Sequence, residues 1–120
     1  MIRNYRDLVV WQKAISFVTD VYYITRHLPT EERYGLCSQI RRSAVSIPSN
    51  IAEGYGRNSI QDYIRFLQIA NGSLFEFQTQ LEIIKNLEYI TRDHFKDLFN
   101  QSREIERMLK SLINKLRRTT

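Results

Sequence analysis

The sequence predicts an all-α chain, an antiparallel up-down-up-down four-helix bundle formed by residues 1–120 as one domain. Three observations carry this expectation. Apolar residues recur at three- and four-residue steps in four long segments, with no stretch that alternates as a strand would. Gly 4 and Pro 2 are too few for the turns of a sandwich or barrel. The segments are joined by short connections, which set consecutive helices side by side and antiparallel. A chain of 120 residues buries roughly two-thirds of its unfolded surface, so its core needs no staple.

The first helix is expected over residues 8–27. Leu8, Trp11, Ala14 or Ile15, Val18 and Val21 or Tyr22 repeat with a helical period. Asp7 is placed to cap it, and Pro29 stops it because the residue before a proline is pushed out of helical geometry. His27 falls near the C-terminus, where the helix dipole favours a cation, so its reading is structural.

An acidic turn at Glu31-Glu32 leads into the second helix, residues 36–54. Leu36, Ile40, Ser43, Ile47, Ile51 and Gly54 line one face, while Cys37, Val45, Pro48 and Ala52 lie on or toward the far side. That apolar arc is wider than a helix facing one core requires. Pro48 should bend the helix, and Gly54-Tyr55-Gly56 supplies C-cap chemistry. The polar ribbon holds Gln39, Arg42, Ser46, Ser49, Asn50 and Glu53.

The third helix, residues 59–88, opens on Ser59 with Asp62 three residues later, a capping-box-like pair. Leu67, Ala70, Leu74, Phe77, Leu81 and Ile84 share a seam; Ile69, Phe75 and Ile83 fall off it. Gly72 costs ~1 kcal/mol in mid-helix, which points to close approach of another helix. Thr91 caps the fourth helix, residues 92–118, where Phe95, Leu98, Ser102, Ile105, Leu109, Leu112 and Leu116 form a heptad seam with one polar interruption. Arg103, Arg107, Lys110 and Arg117 lie opposite that seam.

Enzyme constellations do not assemble. Neither His27 nor His94 follows a glutamate by three residues, as a di-iron bundle needs, and the single Cys37 excludes a cysteine-rich zinc site. No phosphate-binding glycine loop or nucleophile elbow occurs, and Gly54-Tyr55-Gly56 lacks both a third glycine and a preceding strand. The expectation is a non-enzymatic protein with no cofactor and no metal. Without a signal peptide or an apolar run of transmembrane length, no membrane partner is expected, and the cytoplasm is the expected location.

The net charge of +5 suits an anionic partner. Arg33, Arg41, Arg42 and Arg57 gather on the second helix and its flanks, with Asn50 and Glu53 among them and Arg65 on the third helix. Arg41, Arg42, Arg57 and Arg65 are the candidate contacts to nucleic-acid phosphate, since the arginine fork donates two hydrogen bonds at once. The competing reading is a solvated surface, or ion pairs across a subunit contact. Tyr55, between two glycines and next to Arg57, is the one tyrosine singled out as a stacking platform. Val45, Pro48, Ala52, Ile69, Phe75 and Ile83 have no place in a single core, which predicts a stable homo-oligomer closed through them.

The blocks Asp7-Leu8-Val9-Val10-Trp11-Gln12-Lys13-Ala14, Tyr34-Gly35-Leu36, Gln39-Ile40-Arg41-Arg42-Ser43-Ala44 and Ser46-Ile47-Pro48-Ser49-Asn50-Ile51-Ala52-Glu53-Gly54, with Ala70-Asn71-Gly72-Ser73-Leu74-Phe75-Glu76, resemble a known family. These are the bacterial four-helix-bundle proteins encoded within 23S ribosomal RNA intervening sequences. The resemblance runs along nearly the whole chain. It implies a bundle that assembles into a ring of five, and kinship with the accessory variability determinant of diversity-generating retroelements, a pentamer that binds nucleic acid and works with a reverse transcriptase. It brings no catalytic residues. Two functions follow as expectations: an oligomeric binder of RNA or DNA, with structured RNA foremost, or a protein-interaction scaffold serving a reverse transcriptase.

Overall fold

The computed structural model describes residues 1–119. Four helices, α1 (Val9–Thr25), α2 (Leu36–Tyr55), α3 (Ile60–Asn86) and α4 (Arg92–Arg118), form a four-helix bundle 46 Å long. Each helix packs on the two adjacent to it in the ring α1-α2-α3-α4. Among the described residues, the diagonal pairs α1/α3 and α2/α4 make no close backbone contact. Side chains bridge the diagonal instead: Phe17 and Phe77, both fully buried, meet edge to face with centroids 4.8 Å apart.

The helix ends differ from expectation in instructive ways. Asp7 does not cap α1. Its carboxylate accepts from the backbone N–H of Arg3 (2.8 Å) and closes a capping box with Asn4 around a 3-10 turn at Tyr5–Asp7. Leu8 then takes the N-cap position with no side-chain bond. At the other end α1 stops at Thr25, short of His27. Glu31 and Glu32 belong to a separate 3-10 turn, Thr30–Glu32, where Glu32 Oε1 accepts from the Leu36 N–H. Ser59 and Thr91 cap α3 and α4, accepting from the N–H groups of Asp62 and His94.

Helix α2 runs unbroken through Pro48. The missing N–H leaves the Ala44 carbonyl without its helical donor. Pro48 and Cys37 do not lie on a far side, because both are buried. Cys37, Arg41, Ala44 and Pro48 recur at steps of four, three and four, and this stripe faces α1. Cys37 Sγ donates to the Thr25 carbonyl, and Arg41 Nε donates to Thr25 Oγ1 at 2.9 Å. Most of the wide apolar arc of α2 is thus used inside the protomer, gripped by α1 on one flank and α3 on the other.

Close approach between helices occurs at Gly54, not at Gly72. A Cβ built on Gly54 would lie 2.8 Å from Phe66 Cβ and 3.2 Å from the Tyr63 carbonyl, so α2 and α3 touch there through bare backbone. The contact continues through small residues, with Ser46 Oγ and Ser73 Oγ 2.8 Å apart and Ser43 Oγ donating to Gln80 Oε1 at 2.7 Å. Gly72 faces out from α3, and a Cβ there meets nothing within 4 Å. The polar interruption of the α4 seam is satisfied: fully buried Ser102 donates to the Phe99 carbonyl and accepts from Gln78 Nε2.

Beside Gly54, Tyr63 is half-buried and meets Tyr55 edge to face. Burial first, and Tyr55 second, push the Tyr63 phenol up to about 12. An unfolded tyrosine loses its proton near pH ~10, so the folded chain holds this proton longer. The stability it contributes is full below pH ~10 and is lost as pH rises toward ~12. Urea unfolding at stepped alkaline pH should show that loss, reduced in Tyr63→Phe; identical curves for the two proteins would exclude the link.

Candidate nucleic-acid interface

The four arginines expected to form one phosphate surface do not come together. Arg41 and Arg57 stand at opposite ends of α2, about 24 Å apart at 1.5 Å of rise per residue. The antiparallel bundle carries that separation to its two ends. Arg41 belongs with the C-terminus of α1, where its Nη2 donates to the Tyr22 carbonyl (3.2 Å) and its guanidinium lies 4.5 Å from the Tyr22 ring centroid. Half-buried and bonded twice to α1, it closes that helix end, satisfying a carbonyl that lacks a helical donor.

Arg57 and Arg65 meet at the other end. Both lie over Phe66, with guanidinium carbons 4.4 and 5.2 Å from its centroid. Arg65 also forms an exposed pair with Asp62 at 3.7 Å, which contributes at most about 1 kcal/mol. Arg42, the next residue after Arg41 and so at nearly the same height, is turned to the exposed side of α2, beside a small cleft shared with Gln39, Ser46 and Glu76 of α3. Tyr55 is not an open platform, because its ring packs on Tyr63 at 6.0 Å.

Sequence reasoning missed Arg26 and passed lightly over Arg33. Both are exposed at the α1–α2 end, Arg26 over Tyr23 (4.6 Å) and Arg33 over Tyr34 (5.6 Å). The signal was present as Tyr23-x-x-Arg26 and Arg33-Tyr34 on either side of Pro29. It becomes visible only once the short connection folds these pairs toward each other. Neither arginine, nor Arg41, Arg42 or Arg57, has an acidic partner within 4 Å among the described residues.

Of the expected interface residues, Val45 on α2 and Ile69, Phe75 and Ile83 on α3 are exposed, at 39%, 42%, 47% and 41%. Ala52 is half-buried, and Pro48, sealed in its own core, has nothing to offer a partner. Gly72 lies on the same outward side of α3 as Ile69 and Ile83.

Among the described residues, no group of three or more His, Cys, Asp or Glu side chains could hold a metal ion. No helix there is long and apolar enough to cross a membrane. No curated protein matches the chain. Its fold is similar to the crystal structure of a protein of unknown function from the S23 ribosomal protein family of Bacteroides thetaiotaomicron VPI-5482. The two share 34% identity at a TM-score of 0.82, over 88% of this chain and 98% of the other. Residues 6–111 match the model of the family described as 23S rRNA-intervening sequence protein. With that match spanning most of the bundle, the chain belongs to the 23S rRNA-intervening sequence protein family.

Proposed function

We propose that this protein is a non-enzymatic, homo-oligomeric nucleic-acid-binding protein, with RNA as its principal ligand. One observation carries the reading: Arg26, Arg33 and Arg57 lie over aromatic rings with no carboxylate in reach. A guanidinium held by a ring and unpaired with an acid keeps its forked donors for phosphate. The net charge of +5 adds a long-range attraction of the same sign, and the family description names an RNA locus.

Self-association supports the binding. Two of the surfaces with exposed apolar residues differ from each other: Val45 beside half-buried Ala52 on α2, and Ile69, Phe75 and Ile83 on α3. Unlike patches meeting head to tail generate a ring when the rotation closes. The family resemblance implies a ring of five. Closed symmetry repeats every arginine around the axis and turns a modest charge into a continuous basic surface.

Fluorescence anisotropy with a labelled single-stranded RNA tests the phosphate contacts. Arg57/Arg65→Ala should weaken binding and reduce the salt slope by about 1.4, at about 0.7 per phosphate of a single strand. Unchanged affinity and slope would clear that end of the bundle. Wild-type protein that binds no nucleic acid at low salt would replace this reading with a scaffold for an acidic protein or a reverse transcriptase.

A further inference from the structure

The end of the bundle where α1 stops and α2 begins carries an open cleft of about 330 Å³. Arg26, Arg33 and Arg41 line it from three separate stretches of chain, and no carboxylate lines it. Glu32, on the adjoining turn, is occupied by the Leu36 N–H and the Tyr89 hydroxyl, at 3.3 and 3.2 Å. Three cations around one concavity repel one another, and among the described residues none of the three has a carboxylate within 4 Å. An anion would.

Each of these arginines also lies against a tyrosine: Arg26 on Tyr23, Arg33 on Tyr34 and Arg41 on Tyr22. The rings are open to solvent, Tyr34 at 88% and Tyr23 at 54%. A ring covered by a guanidinium on one side keeps its other face for a second flat partner. Exposed aromatic area of this kind is costly to leave wet, and it serves no core.

We propose that this cleft binds an unpaired RNA or DNA strand, one phosphate held by Arg26 and Arg33 and adjoining bases stacked on Tyr23 and Tyr34. The inference rests on the nucleic-acid reading above and adds both the place and the form of the ligand. Arg41, tied to Thr25 and Tyr22, forms the fixed floor of the cleft. A duplex fits poorly, because its bases are already stacked on each other and only its phosphates are offered. Stacking on aromatic side chains is tolerant of base identity, so sequence preference should be weak.

The test compares a 20-nucleotide oligouridine RNA with an RNA duplex of the same length, by anisotropy, on four proteins. These are the wild type, Arg26/Arg33→Ala, Tyr23/Tyr34→Ala and Tyr23/Tyr34→Phe. All substituted residues are exposed, and circular dichroism is used to check that each variant keeps the bundle. The proposal expects the single strand to bind the wild type more tightly than the duplex. Arg26/Arg33→Ala should lose affinity for it, with a smaller salt slope. Tyr23/Tyr34→Ala should lose at least about five-fold, the low end for one stacked base, while the Phe variant retains wild-type binding. Binding by all three variants equal to wild type would overturn the site and leave the nucleic-acid reading standing. Loss in the arginine variant alone, with duplex bound equally well, would overturn the stacking. No binding of either RNA by the wild type would overturn this inference and the function it rests on.

Discussion

Gly54→Ala lowers the stability of the bundle by about 1–3 kcal/mol, the cost of forcing a methyl into a filled contact. The new Cβ would sit 2.8 Å from Phe66 Cβ and 3.2 Å from the Tyr63 carbonyl oxygen. Neither is the free end of a flexible side chain, so α2 and α3 must move apart. That motion disturbs Ser46–Ser73 and Ser43–Gln80, the polar contacts further along the same interface. The propensity gain of alanine over glycine, about 1 kcal/mol, offsets part of the loss. Gly72→Ala makes the opposite case. Its methyl enters open space within the protomer, so the substitution should stabilise by about 0.5–1 kcal/mol. Urea unfolding at matched protomer concentration measures both. A Gly54→Ala protein as stable as wild type or more so would mean that α2 and α3 do not meet at Gly54 as described.

Ile69/Phe75/Ile83→Ser should convert the proposed homo-oligomer to protomers while leaving the helices intact. The three side chains are each more than two-fifths exposed and lie outside the seam that α3 buries. Serine there removes the apolar surface without touching Leu74, Phe77 or Leu81, which are fully buried. Light scattering at micromolar concentration should give a multiple of 14.4 kDa for the wild type and the single-chain mass for the variant. Circular dichroism should not change. A wild-type mass equal to one chain, or a variant that stays assembled, would remove α3 from the interface.

The four helices could be read directly from the sequence because apolar spacing reports which residues share a helix face. Leu36, Ile40, Ser43, Ile47, Ile51 and Gly54 share a face by spacing alone, and all are buried but Leu36, which is half-buried. Periodicity does not report which neighbour covers a face. Cys37 and Pro48 looked surplus because a wheel drawn for one partner has no place for a second, and α1 is that second partner. The same limit misplaced the close approach. A glycine in mid-helix and a glycine near a helix end carry the same local signal, and only the crossing of α2 and α3 distinguishes Gly54 from Gly72. For the arginines, nearness along the chain was read as nearness in space. A helix of 20 residues is about 30 Å long, so Arg41 and Arg57 were separated by the very element that seemed to unite them. Arg26 and Arg33 met instead through a short connection, which local spacing cannot reveal.

The central claim is that the unpaired arginines serve a nucleic-acid backbone, and the salt dependence of wild-type binding tests it most directly. Affinity for a single-stranded oligouridine RNA is measured from about 50 to about 200 mM salt. A logarithm of affinity that falls linearly with the logarithm of salt concentration, losing about 0.7 in slope for each phosphate neutralised, is the predicted result. Absence of binding at about 50 mM salt, or an affinity indifferent to salt across that range, would contradict the account.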